Sequence, residues 1–219
     1  RSSRSVASRR WPTGAWRSVD NFPAAYAREC FVDEYAAATG VDPYDLRLQL
    51  VDEKVYAADA RAVLQLAAEK SDWGKPLPAG WGRGMAFHST FGVTHVAHVA
   101  EVEVDKQGHV RVHRVVSAVD CGAVINPSGV EAQMEGGIAF GLTAALKDKI
   151  TVKDGRVEQG NFDDFGILRL DEMPAVEVYI VPSERRPTGI GEMGVPPIVP
   201  AVLNAIYAAA GVRVREIPV

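Results

Sequence analysis

Cysteine is scarce in this chain. Cys30 and Cys121 are the only two in 219 residues, and they lie far apart with no C-x-x-C spacing. Nothing therefore indicates a disulfide scaffold, and no cysteine pattern is present that would ligate an iron–sulfur cluster. Long apolar runs are missing too: none approaches the ~20 residues that a membrane-spanning helix requires. A strong charge of either sign is absent, since 24 Lys and Arg stand against 28 Asp and Glu for a net charge of -4. That balance gives no electrostatic footprint for nucleic acid. Metal-ligand spacing is also lacking, although five histidines are present. His95 and His98 are three apart in an expected strand and so face opposite sides. His109 and His113 share a face but sit ~13 Å apart at the rise of a strand. With no Cys or carboxylate at ligand spacing, a metal held by protein side chains is not expected. All five histidines, His88 included, read as ordinary surface or core residues.

What remains is a length sufficient for one large or two small domains with a real core. There are no internal repeats, and no low-complexity tract beyond the first ten residues. The chain opens on Arg rather than Met, and Arg1, Arg4, Arg9, Arg10 and Arg17 all precede the first acid, Asp20. An Arg- and Ser-rich, acid-poor start occurs in transit peptides, but the apolar core of a secretory signal is missing. The expectation is a basic segment over residues 1–13 that continues from a longer polypeptide cut upstream.

Punctuation along the chain predicts a helical segment over residues 14–72, then an α+β segment over residues 73–219. Asn21 is placed to cap a helix that Gly40 ends, and Asp42-Pro43 caps a second short helix with Pro43 at its first position. Residues 56–71 form a third helical stretch rich in Ala and Leu. Residues 73–83, rich in Gly, Pro and Trp, read as the connection between the two segments. Residues 94–105 and 109–119 flank the turn Lys106-Gln107-Gly108 as a hairpin, and a second hairpin is expected around Asp154-Gly155. The fold class expected is α+β, with helices and antiparallel hairpins.

Two places could carry chemistry. The first is Gly189-Ile-Gly-Glu-Met-Gly-Val-Pro-Pro197, which sets one carboxylate, Glu192, in a loop of glycines and prolines. Glycines let a backbone approach a ligand, and prolines hold a loop in one shape. A positioned general base has this appearance, and so does a tight turn whose Glu points into water. Gly189, Gly191 and Gly194 also spell G-x-G-x-x-G, but a dinucleotide site needs a strand running into the first Gly and a helix opening at the last. The nearest expected strand, residues 175–181, stops early. Pro196, Pro197 and Pro200 place the next helix start at about Ile198, and no βαβ unit closes before the chain ends. The Rossmann reading is rejected.

The second place is residues 120–141. A strand ends at Val119, and Ser128 with Glu131 three residues on forms a capping box for a helix over residues 129–146. Gly136, Gly137 and Gly141 lie inside that helix, each at a cost of about 1 kcal/mol against Ala. They share a face with Gln133. Such a stripe could dock a flat polar ligand beside Gln133, or it could let another helix pack closely. The residues alone leave both open.

Three motifs then occur in a recognisable order: Gly122-Ala-Val-Ile-Asn-Pro127, Gln133-Met-Glu-Gly-Gly-Ile-Ala-Phe-Gly-Leu142 and Gly191-Glu-Met-Gly-Val-Pro-Pro197. Together they resemble the C-terminal part of the molybdenum hydroxylases, the xanthine dehydrogenase and aldehyde oxidase family. Trp16-Arg-Ser-Val19, Glu29-Cys-Phe-Val-Asp-Glu34 and Asp42-Pro43 are similar to the branch containing the large (beta) subunits of isoquinoline 1-oxidoreductases and related membrane-linked aldehyde dehydrogenases. Pro200-Ala-Val-Leu-Asn-Ala-Ile206 and Gly211-Val-Arg213 fit as well. The resemblance covers roughly residues 14–218.

The resemblance implies the C-terminal portion of a molybdopterin-binding domain. The implied cofactor is molybdopterin carrying molybdenum, in the cytosine dinucleotide form usual for bacterial members, with the metal held by the pterin and not by side chains. Glu192 matches the catalytic Glu, which takes a proton while an electron-poor carbon is hydroxylated. Water is the oxygen source, and electrons leave through iron–sulfur clusters. Gln133 matches a pterin-contacting Gln, and Gly136, Gly137 and Gly191 would allow close approach of the cofactor or a neighbouring element. The implied activity is hydroxylation of an N-heteroaromatic carbon or oxidation of an aldehyde. Implied partners are the upstream part of the large subunit, a small 2Fe-2S subunit, a small-molecule substrate and a membrane-linked electron acceptor. The compartment is left open between the two sides of a bacterial membrane. Large subunits of this family are several times longer, and their upstream Gly-rich motifs are absent here. The expectation is therefore that this chain alone holds no cofactor and is inactive. The rival reading is a non-catalytic binding or assembly domain with the same fold.

Overall fold

A computed structural model of the chain describes residues 14–51 and 58–219. The basic start and the first residues of the expected third helix lie outside the described residues. Helix α1 spans Asn21–Thr39 and ends as expected at Gly40, whose left-handed φ of 69° lets its N–H reach the Ala36 carbonyl. Asn21 does not cap it. Asp20 holds the cap position without capping through its side chain, and Asn21 is the first helical residue. Helix α2, Pro43–Leu50, is capped as expected: Asp42 accepts from the Tyr44 and Asp45 N–H groups. Helix α3 follows over Ala58–Lys70.

Strand β1, Trp81–Thr90, begins inside the stretch expected to be a connection. Gly82 and Gly84 account for the difference. They are glycines because another backbone crosses them: a Cβ on Gly84 would lie 2.2 Å from the Ala205 amide nitrogen, and one on Gly82 2.2 Å from the Ala205 carbonyl oxygen. The hairpin of β2, Thr94–Val104, and β3, Val110–Asp120, forms around the expected turn, with a register shift between Glu101 and Val102. The small hairpin of β4, Val152–Lys153, and β5, Arg156–Val157, brackets Asp154-Gly155.

Helix α4 spans Pro127–Leu146, two residues earlier than the capping box implied. The cap is Asn126, whose side chain accepts from the Gly129 N–H, with Pro127 in the first turn where no N–H is needed. Ser128 donates its hydroxyl to Asn126 Oδ1 instead of capping. Strand β6, Ala175–Ile180, ends well before Gly189, so the loop glycines follow no strand directly. Helix α5 spans Val195–Ala210, and so starts before Ile198. Pro196 and Pro197 sit in its first turn, where their missing donors are not called upon. Pro200 lies one turn further in.

The sheet order is β1-β2-β3-β6, antiparallel except for the parallel β3/β6 pair. That pair is made by the β3–α4–β6 crossover, which the expected hairpins did not include. Alternate residues of each strand face opposite sides. Met85, Phe87, Val99 and Val116 pack under Val63, Leu64 and Ala67 of α3. Ala86, Ala100, Val112 and Val115 pack under Ile198, Val202 and Ile206 of α5, with Ile138 and Leu142 of α4 alongside. Helix α1 lies against α5. Among the described residues no helix is long and apolar enough to cross a membrane.

Candidate active site

The loop carrying Glu192 is pinned at several points. The Thr94 hydroxyl meets the Gly189 carbonyl at 2.8 Å and the Thr188 hydroxyl at 2.7 Å. Downstream, Met193 is buried, and the Val195 N–H donates to the Glu192 carbonyl at 3.2 Å. From beneath, buried His98 on β2 meets the Gly194 carbonyl through Nε2 at 3.0 Å. Full burial drives the His98 pKa down to about 4, so its ring is neutral and Nε2 carries the proton it donates. His95 faces the other side of the sheet, as its spacing predicted, with its ring stacked on Phe87.

The Glu192 side chain is met by a distant part of the chain. The Ser18 N–H donates to Glu192 Oε2 at 2.9 Å, and the Ser18 hydroxyl donates to the Glu192 backbone carbonyl at 2.6 Å. Ser18 is fully buried and has a φ of 75°, followed by Val19 at 43°. Arg17 completes the junction. Its Nε donates to the Gly191 carbonyl at 2.8 Å, Nη2 also reaches that carbonyl, and Nη2 donates to Gln133 Oε1 at 3.2 Å. Trp16 anchors this segment against Phe22 and Phe140, with ring centroids 4.8 and 4.7 Å away. Arg17 and Ser18 are the site residues that sequence reading did not single out. Their partners lie 116 and 174 positions away, beyond any local periodicity. Only the similarity of Trp16-Arg-Ser-Val19 to known large subunits pointed near them.

Glu192, Gly191 and Gln133 are thus brought together by Arg17 and Ser18. A Cβ on Gly191 would lie 3.7 Å from Gln133 Oε1. Gly136, one turn along α4, is exposed, and a Cβ there would meet nothing nearer than Arg17 Nη1 at 3.9 Å. Gly137 is different. It is buried, with Gly194 Cα 3.1 Å from the place of a Cβ, and a Cβ on Gly141 would lie 2.3 Å from Ile198 Cγ2. The two readings of the stripe therefore divide between its residues: Gly137 and Gly141 seat α5, while Gly136 stays open beside Gln133. Among the described residues no group of three or more His, Cys, Asp or Glu could hold a metal ion. The donor set on the open side is an exposed amide, a guanidinium and a carboxylate around side-chain-free backbone. That set fits a flat polar group bearing both donors and acceptors better than a bare cation. A groove of about 960 Å³ lies elsewhere, at the C-terminal ends of α4 and α5, and contains none of these residues.

Comparison with known proteins gives the family. The molybdopterin cofactor-binding domain family matches residues 27–174, a span that includes Gln133, Gly136 and Gly137 and ends before the Glu192 loop. The beta subunit of isoquinoline 1-oxidoreductase from Brevundimonas diminuta is 36% identical over 206 residues, covering 92% of this chain and 26% of that protein. A nicotinate dehydrogenase subunit from Pseudomonas putida is 34% identical over 223 residues, covering 93% of this chain and 18% of that protein. The chain thus spans about a quarter or less of the length of these two relatives. Among solved structures, quinoline 2-oxidoreductase from Pseudomonas putida 86 superimposes with a TM-score of 0.79 at 14% identity, over 91% of this chain and 50% of that one. The aldehyde oxidoreductase from Desulfovibrio desulfuricans gives 0.75 at 15% identity, over 93% and 40%. At those identities the two structures establish the fold alone. The chain belongs to the molybdopterin cofactor-binding domain family and is a member of the molybdenum hydroxylases.

Proposed function

We propose that this chain supplies the proton-accepting carboxylate and one wall of the cofactor site in an oxidoreductase. That enzyme hydroxylates an N-heteroaromatic carbon or oxidises an aldehyde. The substrates after which the relatives are named, isoquinoline, nicotinate and aldehydes, support this range. The observation that carries the reading is Glu192 itself, half-buried and fixed through Oε2 by the Ser18 N–H. Oε1 has no hydrogen-bond partner among the described residues. A carboxylate oriented at one oxygen, with the other unengaged among the described residues, is arranged to take up one proton along a fixed direction.

Gln133 and Arg17 would hold the molybdopterin, in its cytosine dinucleotide form, through amide and guanidinium hydrogen bonds, with Gly136 and Gly191 giving it room to lie close. When bound, that group supplies the two-electron redox chemistry. Glu192 removes the proton shed as water-derived oxygen is delivered to the substrate carbon. Ser18 keeps the carboxylate aimed, and the buried Met193 and α5 behind the loop exclude water from its rear. Electrons would leave to iron–sulfur clusters on a small 2Fe-2S subunit, and from there to a membrane-linked acceptor. The rest of the cofactor site would come from an upstream part of the same large subunit.

The test is Glu192→Gln in the assembled enzyme. Gln keeps the size and the bond from Ser18 but cannot accept the proton. We expect kcat to fall ~10²–10⁴-fold with molybdenum content equal to the parent. Near-parental kcat removes Glu192 from the mechanism. Full loss of turnover together with molybdenum recasts it as a support for the cofactor, the role a non-catalytic assembly domain would need.

A further inference from the structure

The histidines found no role in the sequence, and His88 has one in the structure. It lies on β1, 3% exposed, and meets two polar partners across its ring. Arg28 Nη2 contacts Nδ1 at 3.0 Å, and Nε2 meets Asn21 Oδ1 at 2.9 Å. A guanidinium only donates, so Nδ1 must accept and Nε2 must carry the proton. Asn21 is thereby oriented with Oδ1 toward His88, and its Nδ2 donates to the Ser18 carbonyl at 3.2 Å. Ser18 in turn donates its N–H to Glu192 Oε2 at 2.9 Å. Every bond in this series runs one way, from the Arg28 guanidinium through His88, Asn21 and Ser18 to the carboxylate.

The series ends on a turn closed by two backbone bonds, Val19 N–H to the Trp16 carbonyl at 2.8 Å and Asn21 N–H to the Ser18 carbonyl at 2.9 Å. Ser18 and Val19 both have positive φ, 75° and 43°, a region that side-chain-bearing residues adopt only when their surroundings impose it. If this turn relaxed, the Ser18 N–H would swing away from Glu192. Asn21 grips the turn from the helix side twice, through its backbone N–H at 2.9 Å and its side-chain Nδ2 at 3.2 Å, both to the Ser18 carbonyl. We propose that His88, acting through Asn21, is a positioning residue that holds the Ser18 turn in its left-handed shape and so aims the Ser18 N–H at Glu192. The inference rests on the reading of Glu192 as the proton acceptor. Burial and the neighbouring Arg28 push the His88 pKa down to about 4, which keeps the ring in the one neutral tautomer that the series requires.

The experiment uses the assembled, cofactor-loaded enzyme containing this chain. Four variants are compared with the parent: Asn21→Asp, His88→Leu, His88→Gln and Glu192→Gln. Asn21→Asp still accepts from His88 and keeps the backbone bond to the Ser18 carbonyl, but loses the side-chain donor to it. His88→Leu removes the ring's polar atoms, and His88→Gln restores a donor toward Asn21. The readouts are kcat and KM per bound molybdenum and hydrogen exchange of the peptide amides over residues 16–20. For Asn21→Asp we expect kcat to fall roughly 10- to 100-fold with KM nearly unchanged, as for a small misplacement of a reacting group. Exchange over residues 16–20 should speed up in parallel, and His88→Gln should recover part of what His88→Leu loses. Should His88→Leu fail to fold, Asn21→Asp carries the test. Parental kcat and unchanged exchange in Asn21→Asp, with Glu192→Gln inactive, overturn the positioning role and leave the base in place. Near-parental kcat in Glu192→Gln overturns the base and the positioning role with it.

Discussion

Glu192 was legible because its signal is local: glycines and prolines crowd around one carboxylate within a few positions. Its partners were not, because Ser18 and Arg17 reach the loop from the opposite end of the chain, Ser18 through its N–H to the carboxylate and Arg17 through its guanidinium to the Gly191 carbonyl, pairings that no local spacing encodes. The histidines show the same limit. Their spacing excluded a shared metal and separated the faces of His95 and His98, but it could not show that His88 and His98 are buried with defined partners. Their burial has a measurable consequence. Both pKa values drop from 6.5 to about 4. Between those values the unfolded chain binds more protons than the folded one, so stability is full above about pH 6.5 and is lost as pH falls toward 4. Each histidine contributes about 3 kcal/mol to that loss. Urea unfolding at neutral pH and near the lower value checks it, and an unchanged midpoint would contradict the neutral, buried state of both rings. The buried pair of Glu29 and Arg47, 2.9 Å apart, makes a second prediction. Glu29 also accepts from the Phe87 N–H, so Glu29→Ala strands a buried guanidinium and an amide. We expect a loss of about 3–5 kcal/mol in the same unfolding measurement.

Helix α5 organises the elements around it, and its glycine contacts explain where the element reading succeeded and failed. The second half of α4 was expected as helix despite its glycines, and it is one. Strand β1 was partly read as a connection, because Gly82 and Gly84 look like loop residues until α5 is laid across them. Sequence reading starts α5 too late, because its prolines look like breakers although two of them stand in the first turn. Three substitutions separate these roles. Gly84→Ala forces a Cβ into the α5 backbone and should destabilise by about 1–3 kcal/mol or more, since neither backbone can yield cheaply. Gly141→Ala meets the buried Ile198 side chain and should destabilise by a similar amount. Gly136→Ala meets nothing within ordinary contact except the Arg17 tip, and should stabilise the chain by about 1 kcal/mol through helix propensity. The same Gly136→Ala change should weaken cofactor loading in the assembled enzyme if that face receives the pterin. Chemical unfolding and molybdenum analysis of one preparation read both effects.

At the scale of the whole molecule, the α+β class was legible from hairpin turns and helix caps. The parallel β3/β6 pair was not, because β6 is only 6 residues long and follows α4 after a long irregular stretch. The family was legible because three motifs kept their order across the chain. The resulting molecule presents Glu192, Gln133, Gly136 and Arg17 on one open side, backed by α4 and α5. The two relatives described above extend several times further than this chain. On the function proposed here, the base and one wall of the site belong to this chain, and the remaining cofactor contacts belong to the rest of the large subunit. Molybdenum analysis of the purified chain, beside the same chain joined to that remainder, tests this division most directly. We predict stoichiometric molybdenum only in the joined form, and stoichiometric molybdenum on the chain alone would contradict the division.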